Sequence, residues 1–295
     1  RTSLDSRMSP NLFGALLMMA SMACFTLNDT FIKAIGSGLP LFQILFLRGV
    51  IATALIFGLA KHRRAFSVQV SVRDWRLIGL RSVSEVAAAY FFVSALLNMP
   101  LANITAILQV LPLTVTLGSA LLFGEAVGWR RMLAILAGFT GMLLIVRPGP
   151  DGFTIWSVYA LISVICVTCR DLSTRRLSGS VPSMLVTLCA SLSVLMFSGI
   201  AQLWSPWVSV APVQAGALVI AGLCIVGGYF LSVQVMRTGD VSFVAPFRYT
   251  GLIWALLLGW FVFGDWPTSL TLLGASIVVG MGMFTLYRER KLLRS

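Results

Sequence analysis

Apolar runs of about 20 residues, broken by short polar connections, follow one another from Leu12 to Tyr287. A helix needs roughly 20 apolar residues to cross the hydrocarbon core of a bilayer. The pattern therefore predicts ten transmembrane helices, over residues 12–35, 41–60, 77–98, 102–123, 130–147, 154–174, 183–203, 214–236, 242–263 and 268–287. Breaker chemistry sits between them: Gly36-Ser37-Gly38-Leu39-Pro40, Asn98-Met99-Pro100, Arg147-Pro148-Gly149-Pro150, Ser205-Pro206 and Gly264-Asp265-Trp266-Pro267. No stretch is long and polar enough for a separate soluble domain, so the expected fold is an all-α membrane protein.

Composition agrees with this reading. Hydrophobic residues make up 58% of the 295 and charged residues 11%, against about 25% charged in soluble domains. The formal charge of +12 does not point to nucleic acid, because the basic residues lie in connections between apolar runs. Lys61, Arg63, Arg64, Arg73, Arg76, Arg130, Arg131, Arg175, Arg176 and Arg237 fall on one side with both chain ends, and the 170–182 connection adds Arg170. The opposite side holds only Lys33 and Arg147, while Arg48, Arg81 and Arg248 fall within helices. That bias predicts both termini in the cytoplasm. Trp204, Trp207 and Trp266 then occupy the outer interface, where aromatic residues concentrate. The segment before Pro10 is polar, so no cleaved signal peptide is expected.

The two halves of the chain repeat each other. Asn28-Asp29-x-x-x-Lys33 followed by Pro40 matches Arg170-Asp171-x-x-x-Arg175 followed by Pro182. Ala89-Tyr90-Phe91 matches Gly228-Tyr229-Phe230, and Leu122-Phe123-Gly124-Glu125 matches Val262-Phe263-Gly264-Asp265. Residues 1–150 and 151–295 thus form two five-helix units. Five is odd, so the second unit enters the bilayer upside down. Inverted repeats characterise secondary transporters, whose solute site lies near mid-membrane at the repeat interface.

Pro112, Leu121-Leu122-Phe123-Gly124-Glu125, Gly138 and Gly141 in the first half carry a family resemblance, as do Ala245-Pro246-x-Arg248-Tyr249 and Phe263-Gly264-Asp265 in the second. From about Leu12 to Tyr287 the chain resembles the drug/metabolite transporter superfamily, in its ten-helix form with two EamA-type repeats. Within it the chain is most similar to bacterial amino-acid exporters of the YddG kind. The resemblance implies alternating access in a bacterial inner membrane, with no cofactor and a small-molecule substrate. Amino acids lead; nucleotide derivatives, riboflavin and drug cations are the alternatives. The second half lacks a proline at the counterpart of Pro112, so its ninth helix is expected to bend elsewhere.

Ionisable residues in hydrocarbon cost about 2.5–3.5 kcal/mol each on insertion scales and usually face a cavity or a partner. Arg248 lies in mid-run beside Pro246, and its repeat counterpart is Gln109. Both are candidates to face a central cavity, where a guanidinium can hold a carboxylate by two parallel hydrogen bonds. Asn28, Tyr90, Phe91, Tyr229, Tyr249 and Trp254 are further candidates for the wall of the site. Arg81 and Glu85, one turn apart, read either as an internal ion pair or as a gate or proton carrier. Asp29 and Lys33 read as helix-end anchors or gate latches. Arg48 reads as snorkelling to the outer interface.

The remaining chemistry is sparse. Cys24, Cys166, Cys169, Cys189 and Cys224 all lie in apolar runs, an odd count that argues against a disulfide framework. The sole histidine, His62, falls in a loop, and neither a metal-ligand pattern nor a Walker loop is present, so an enzyme is not expected. Small residues four apart, Ala134/Gly138, Ala137/Gly141 and Ser276/Gly280, mark helices 5 and 10 as close-packing scaffold or as a dimer face. Expected partners are the solute and membrane lipids, with the chain a monomer or weak homodimer.

Overall fold

The computed structural model describes residues 10–62, 68–124, 128–146, 154–238 and 244–292. Among these the chain is all-helical. The first half comprises α1 (Pro10–Ile35), α2 (Leu41–His62), α3 (Val72–Asn98), α4 (Leu101–Leu108), α5 (Leu111–Phe123) and α6 (Trp129–Val146). The second comprises α7 (Ile155–Arg175), α8 (Ser183–Gln202), α9 (Pro212–Thr238), a 3₁₀ segment (Ala245–Tyr249), α10 (Thr250–Phe263) and α11 (Ser269–Leu292). Eight segments are long and apolar enough to cross a membrane, counting α4–α5 and the 3₁₀ segment with α10 as one each; Met132–Val146 and Ser269–Thr285 are shorter apolar helices. Together they make the ten expected spans. Glu125 and residues 147–150 lie outside the described residues.

The fourth and ninth spans are both interrupted. Val110 caps α5, Pro112 lies in its first turn, and Gln109 and Val110 close tighter i→i+3 turns onto Ala106 and Ile107. Proline supplies no N–H and frees the carbonyl four residues back. In the second half the break is the 3₁₀ segment carrying Pro246, directly before α10. Non-helical backbone at membrane depth persists only where protein or a cavity covers it, so both breaks point to the centre of the bundle. The repeated Phe-Gly dipeptide also has a local cause. Gly124 and Gly264 end their helices at φ of 67° and 70°, the left-handed conformation that glycine adopts without a Cβ clash.

Packing obeys the exchange of halves. α1 lies along α9 and α3 along α7, and swapping the repeats converts one pair into the other. α2 with α8 and α6 with α11 map onto themselves, and the fourth span meets the ninth through α4 and α10. Small residues allow the closest of these approaches. A Cβ on Gly141 would stand 2.8 Å from the Gly274 carbonyl, so α6 and α11 touch backbone to backbone. Gly280 has open space around it; the close packing in α11 runs through Gly274 instead. A continuous apolar core, including Ile32, Ile44, Leu45, Leu96, Leu101, Ile104, Leu113 and Ile135, runs through the bundle.

Candidate functional site

A cavity of about 320 Å³ occupies the middle of the bundle. Met22, Phe25, Asn28 and Asp29 of α1, Arg48 and Ala52 of α2, and Arg81, Glu85, Ala89 and Phe92 of α3 line it from the first half, with Thr105 and Gln109 of α4. Val167 and Arg170 of α7, Thr187, Ala190 and Ser191 of α8, Ile225 and Tyr229 of α9, then Arg248 and Gly251, line it from the second. Among the described residues α6 and α11 contribute none of the lining. Several lining residues are repeat counterparts of one another: Asn28 with Arg170, and Gln109 with Arg248. The cavity therefore straddles the seam between the repeats.

Local packing places the polar groups. Ser21 Oγ donates to the Gly228 carbonyl at 2.8 Å and shares a 2.7 Å hydrogen bond with Ser232. A Cβ on Gly228 would meet the Phe25 ring at 2.7 Å. With α9 held this close to α1, Tyr229 stacks edge-on against Phe25, centroids 5.3 Å apart. Thr53 and Ser191, 2.6 Å apart, join α2 to α8, and Thr114 and Thr168, 2.7 Å apart, join α5 to α7.

The charges fall into three groups. Glu85 lies between Arg81 (3.7 Å) and Arg170 (3.4 Å), and Arg170 also holds Asp171 at 2.9 Å. Two cations and two anions balance there. Arg48 donates to Asn28 Oδ1 at 3.3 Å, and Asn28 Nδ2 donates to Asp29 at 2.9 Å, so Arg48 and Asp29 form a second balanced set, linked through an amide. Arg248 is the third. It lines the cavity and makes no hydrogen bond or ion pair with a described residue. Counting Asp171 with the lining groups, the described residues of the site carry one uncompensated positive charge.

Of the residues nominated from sequence, Asn28, Gln109, Tyr229 and Arg248 line this cavity, and so do Asp29, Arg81 and Glu85. Five do not. Tyr90 and Phe91 belong to an aromatic cluster with Tyr159, Phe42 and Phe197 that packs α3 against α7, α2 and α8. The buried Tyr249 hydroxyl lies over Gly282 of α11, and the Trp254 indole N–H is buried without a partner among the described residues. Lys33 donates to the Leu96 and Met99 carbonyls at 3.1 and 2.6 Å and stands over the Phe263 ring. It ties α1 to the far end of α3, as an anchor would. At the opposite face Arg176 stands over Phe123, the repeat counterpart of Phe263, and Arg175 donates to Ser119.

Two lining cations escaped the sequence reading. Arg48 does not reach the outer interface. It lies seven residues inside α2, about 10 Å from its start, and Asn28 offers a nearer acceptor. Arg170 opens the basic 170–182 stretch of the sequence, yet α7 continues to Arg175 and keeps it inside the bundle. Its pairing with Asn28 across the repeat was the available signal.

The EamA-like transporter family matches this sequence over residues 12–147 and again over 154–287. The pseudopaline exporter CntI of Pseudomonas aeruginosa is 26% identical over 284 residues, covering 94% of this chain and 97% of its own. A riboflavin transporter of Vibrio cholerae is 28% identical over 274 residues, 90% of each chain. An S-adenosylmethionine uptake transporter of Rickettsia prowazekii is 21% identical over 299 residues, 99% of this chain and 98% of its own. A solved crystal structure, 20% identical, shares the fold with a TM-score of 0.65 over 95% of this chain and 98% of its own.

Proposed function

The chain belongs to the EamA-like transporter family, and from that premise we propose that it exports small carboxylate-bearing zwitterions, amino acids foremost, across a bacterial inner membrane. The observation that carries this reading is Arg248, the one lining cation left uncompensated among the described residues. A guanidinium accepts a carboxylate by a two-pronged hydrogen bond, and its attraction is strong in a site of low dielectric. Gln109, its repeat counterpart, adds an amide beside Gly251, and Phe25, Phe92 and Ile225 supply apolar wall. At about 320 Å³ the cavity stands at the lower end of ligand pockets, which run from about 300 to 1,000 Å³. That size favours a solute with few heavy atoms over a nucleotide derivative or riboflavin.

A drug cation is the weaker reading. Among the described residues four arginines line the cavity against two carboxylates, Asp29 and Glu85, and Glu85 is bracketed by two of those arginines. In this account the seam between the repeats opens alternately to the two faces, and both termini lie in the cytoplasm. Counterflow of radiolabelled solutes into liposomes holding the purified protein tests the assignment, with L-leucine and the other amino acids in one arm and S-adenosylmethionine and riboflavin in the other. Exchange of L-leucine above that of empty liposomes is expected. Flux confined to the second arm removes the amino-acid assignment.

A further inference from the structure

Two carboxylates occupy the same position in the two repeats, Asp29 after Asn28 in α1 and Asp171 after Arg170 in α7. Their surroundings differ. Asp171 is met at 2.9 Å by the guanidinium of its own neighbour. Asp29 receives only the Asn28 amide, also at 2.9 Å, and no Lys or Arg nitrogen of a described residue comes within 4.0 Å. The other lining carboxylate, Glu85, has two arginines. Asn28 is the cause of this asymmetry, because its carbonyl takes Arg48 while its amino group takes Asp29. The amide thus stands between a cation and an anion that would otherwise meet.

A carboxylate has about four acceptor sites, and a charge left unpaired away from water is costly. Balanced by Arg48 only through the Asn28 amide, Asp29 keeps acceptor sites free of any described donor, and these suit a ligand that brings N–H donors and a positive charge. Facing this region from other elements are Arg48 of α2, Arg81 and Glu85 of α3, Arg170 of α7, Tyr229 of α9 and Arg248. Glu85 is the only other acid among them and is already neutralised.

We propose that Asp29 is the subsite for the ammonium group of the transported solute. The inference rests on the carboxylate reading of Arg248 and deepens it. Arg248 holds the acid end and Asp29 the amine end, so the cavity recognises a zwitterion at two points. Seven residues, about 10 Å of helix, separate Asp29 from Met22, which packs against Gly251 three residues after Arg248. That separation is spanned by the Arg248 side chain together with a bound amino acid.

The test compares L-leucine with 2-hydroxy-4-methylpentanoate, which keeps the carboxylate and side chain but lacks the ammonium group. Both are measured by counterflow in liposomes with the native protein, Asp29→Asn, Asp29→Glu and Arg248→Gln, each first shown monodisperse by size-exclusion chromatography. Asp29→Asn is expected to lower leucine flux at least tenfold while the hydroxy acid keeps its rate. Asp29→Glu should retain the preference for leucine, and Arg248→Gln should abolish both fluxes. Equal loss of both solutes in Asp29→Asn, or unchanged leucine flux, overturns the ammonium subsite while the carboxylate reading stands. Unchanged flux of both solutes in Arg248→Gln overturns the carboxylate reading itself.

Discussion

Glu85→Gln removes one charge from the most tightly knit part of the site and changes almost nothing in shape. The carboxylate stands 3.7 Å from Arg81 and 3.4 Å from Arg170, and the three side chains are only 11–20% exposed. At an effective dielectric of about 20, each contact near 3.5 Å contributes about 4–5 kcal/mol before desolvation is charged against it. Removing one partner from a buried pair costs about 3–5 kcal/mol in practice. Here Arg170 keeps Asp171 at 2.9 Å, so the charge left stranded is chiefly that of Arg81. The expected destabilisation is therefore about 2–3 kcal/mol, at the lower edge of that range. Arg81→Gln alone should cost less, because Glu85 then retains Arg170. The double variant should be more stable than the two losses predict, by at least about 1 kcal/mol of coupling. Denaturant unfolding in mild detergent, followed by tryptophan fluorescence across the four proteins, measures this. Losses that add to within about 0.5 kcal/mol would show that the three side chains do not act as one network.

Other outcomes follow from packing. Gly274→Ala places a Cβ against the Gly141 carbonyl and 2.8 Å from Ile145. It should cost about 1–3 kcal/mol and leave solute KM unchanged, since neither helix lines the cavity; Gly280→Ala, with open space around it, should cost nothing by the same melt. Gly264→Ala forces a Cβ into φ of 70° and should lower stability by about 1–2 kcal/mol, read by thermal unfolding. Tyr249→Phe removes a buried hydroxyl that has no partner among the described residues. It should hold or raise stability by about 1 kcal/mol with flux unchanged, and a large loss of flux would place Tyr249 in the site after all.

The architecture was legible because a bilayer allows so few solutions. Apolar length marks the spans, and the breaks at Pro112 and Pro246 mark where the fourth and ninth spans turn irregular. The pairing of Gln109 with Arg248 was legible for the same reason, since both stand at those breaks. Side-chain direction was harder to read. Tyr90 and Tyr229 look equivalent in the alignment, but each residue turns a helix by about 100°. A shift of one position between α3 and α9 puts Ala89, not Tyr90, on the cavity wall beside Tyr229. The length of Arg48 and Arg170 hides their position. A long cation near a helix end can reach either water or a buried acceptor, and the acceptors, Asn28 and Glu85, lie on other helices.

The central claim is that a solute rests in the cavity between the repeats, in contact with both. Cysteines placed singly at Ala89 of α3 and Ala190 of α8, in a protein with its five native cysteines replaced, report on this directly. Both positions line the cavity, one in each half. Saturating L-leucine should slow their reaction with a small methanethiosulfonate reagent at least severalfold, while a lipid-facing cysteine at Leu133 keeps its rate. Labelling of Ala89→Cys and Ala190→Cys at undiminished rates, under leucine concentrations that saturate flux, would mean that the solute passes elsewhere.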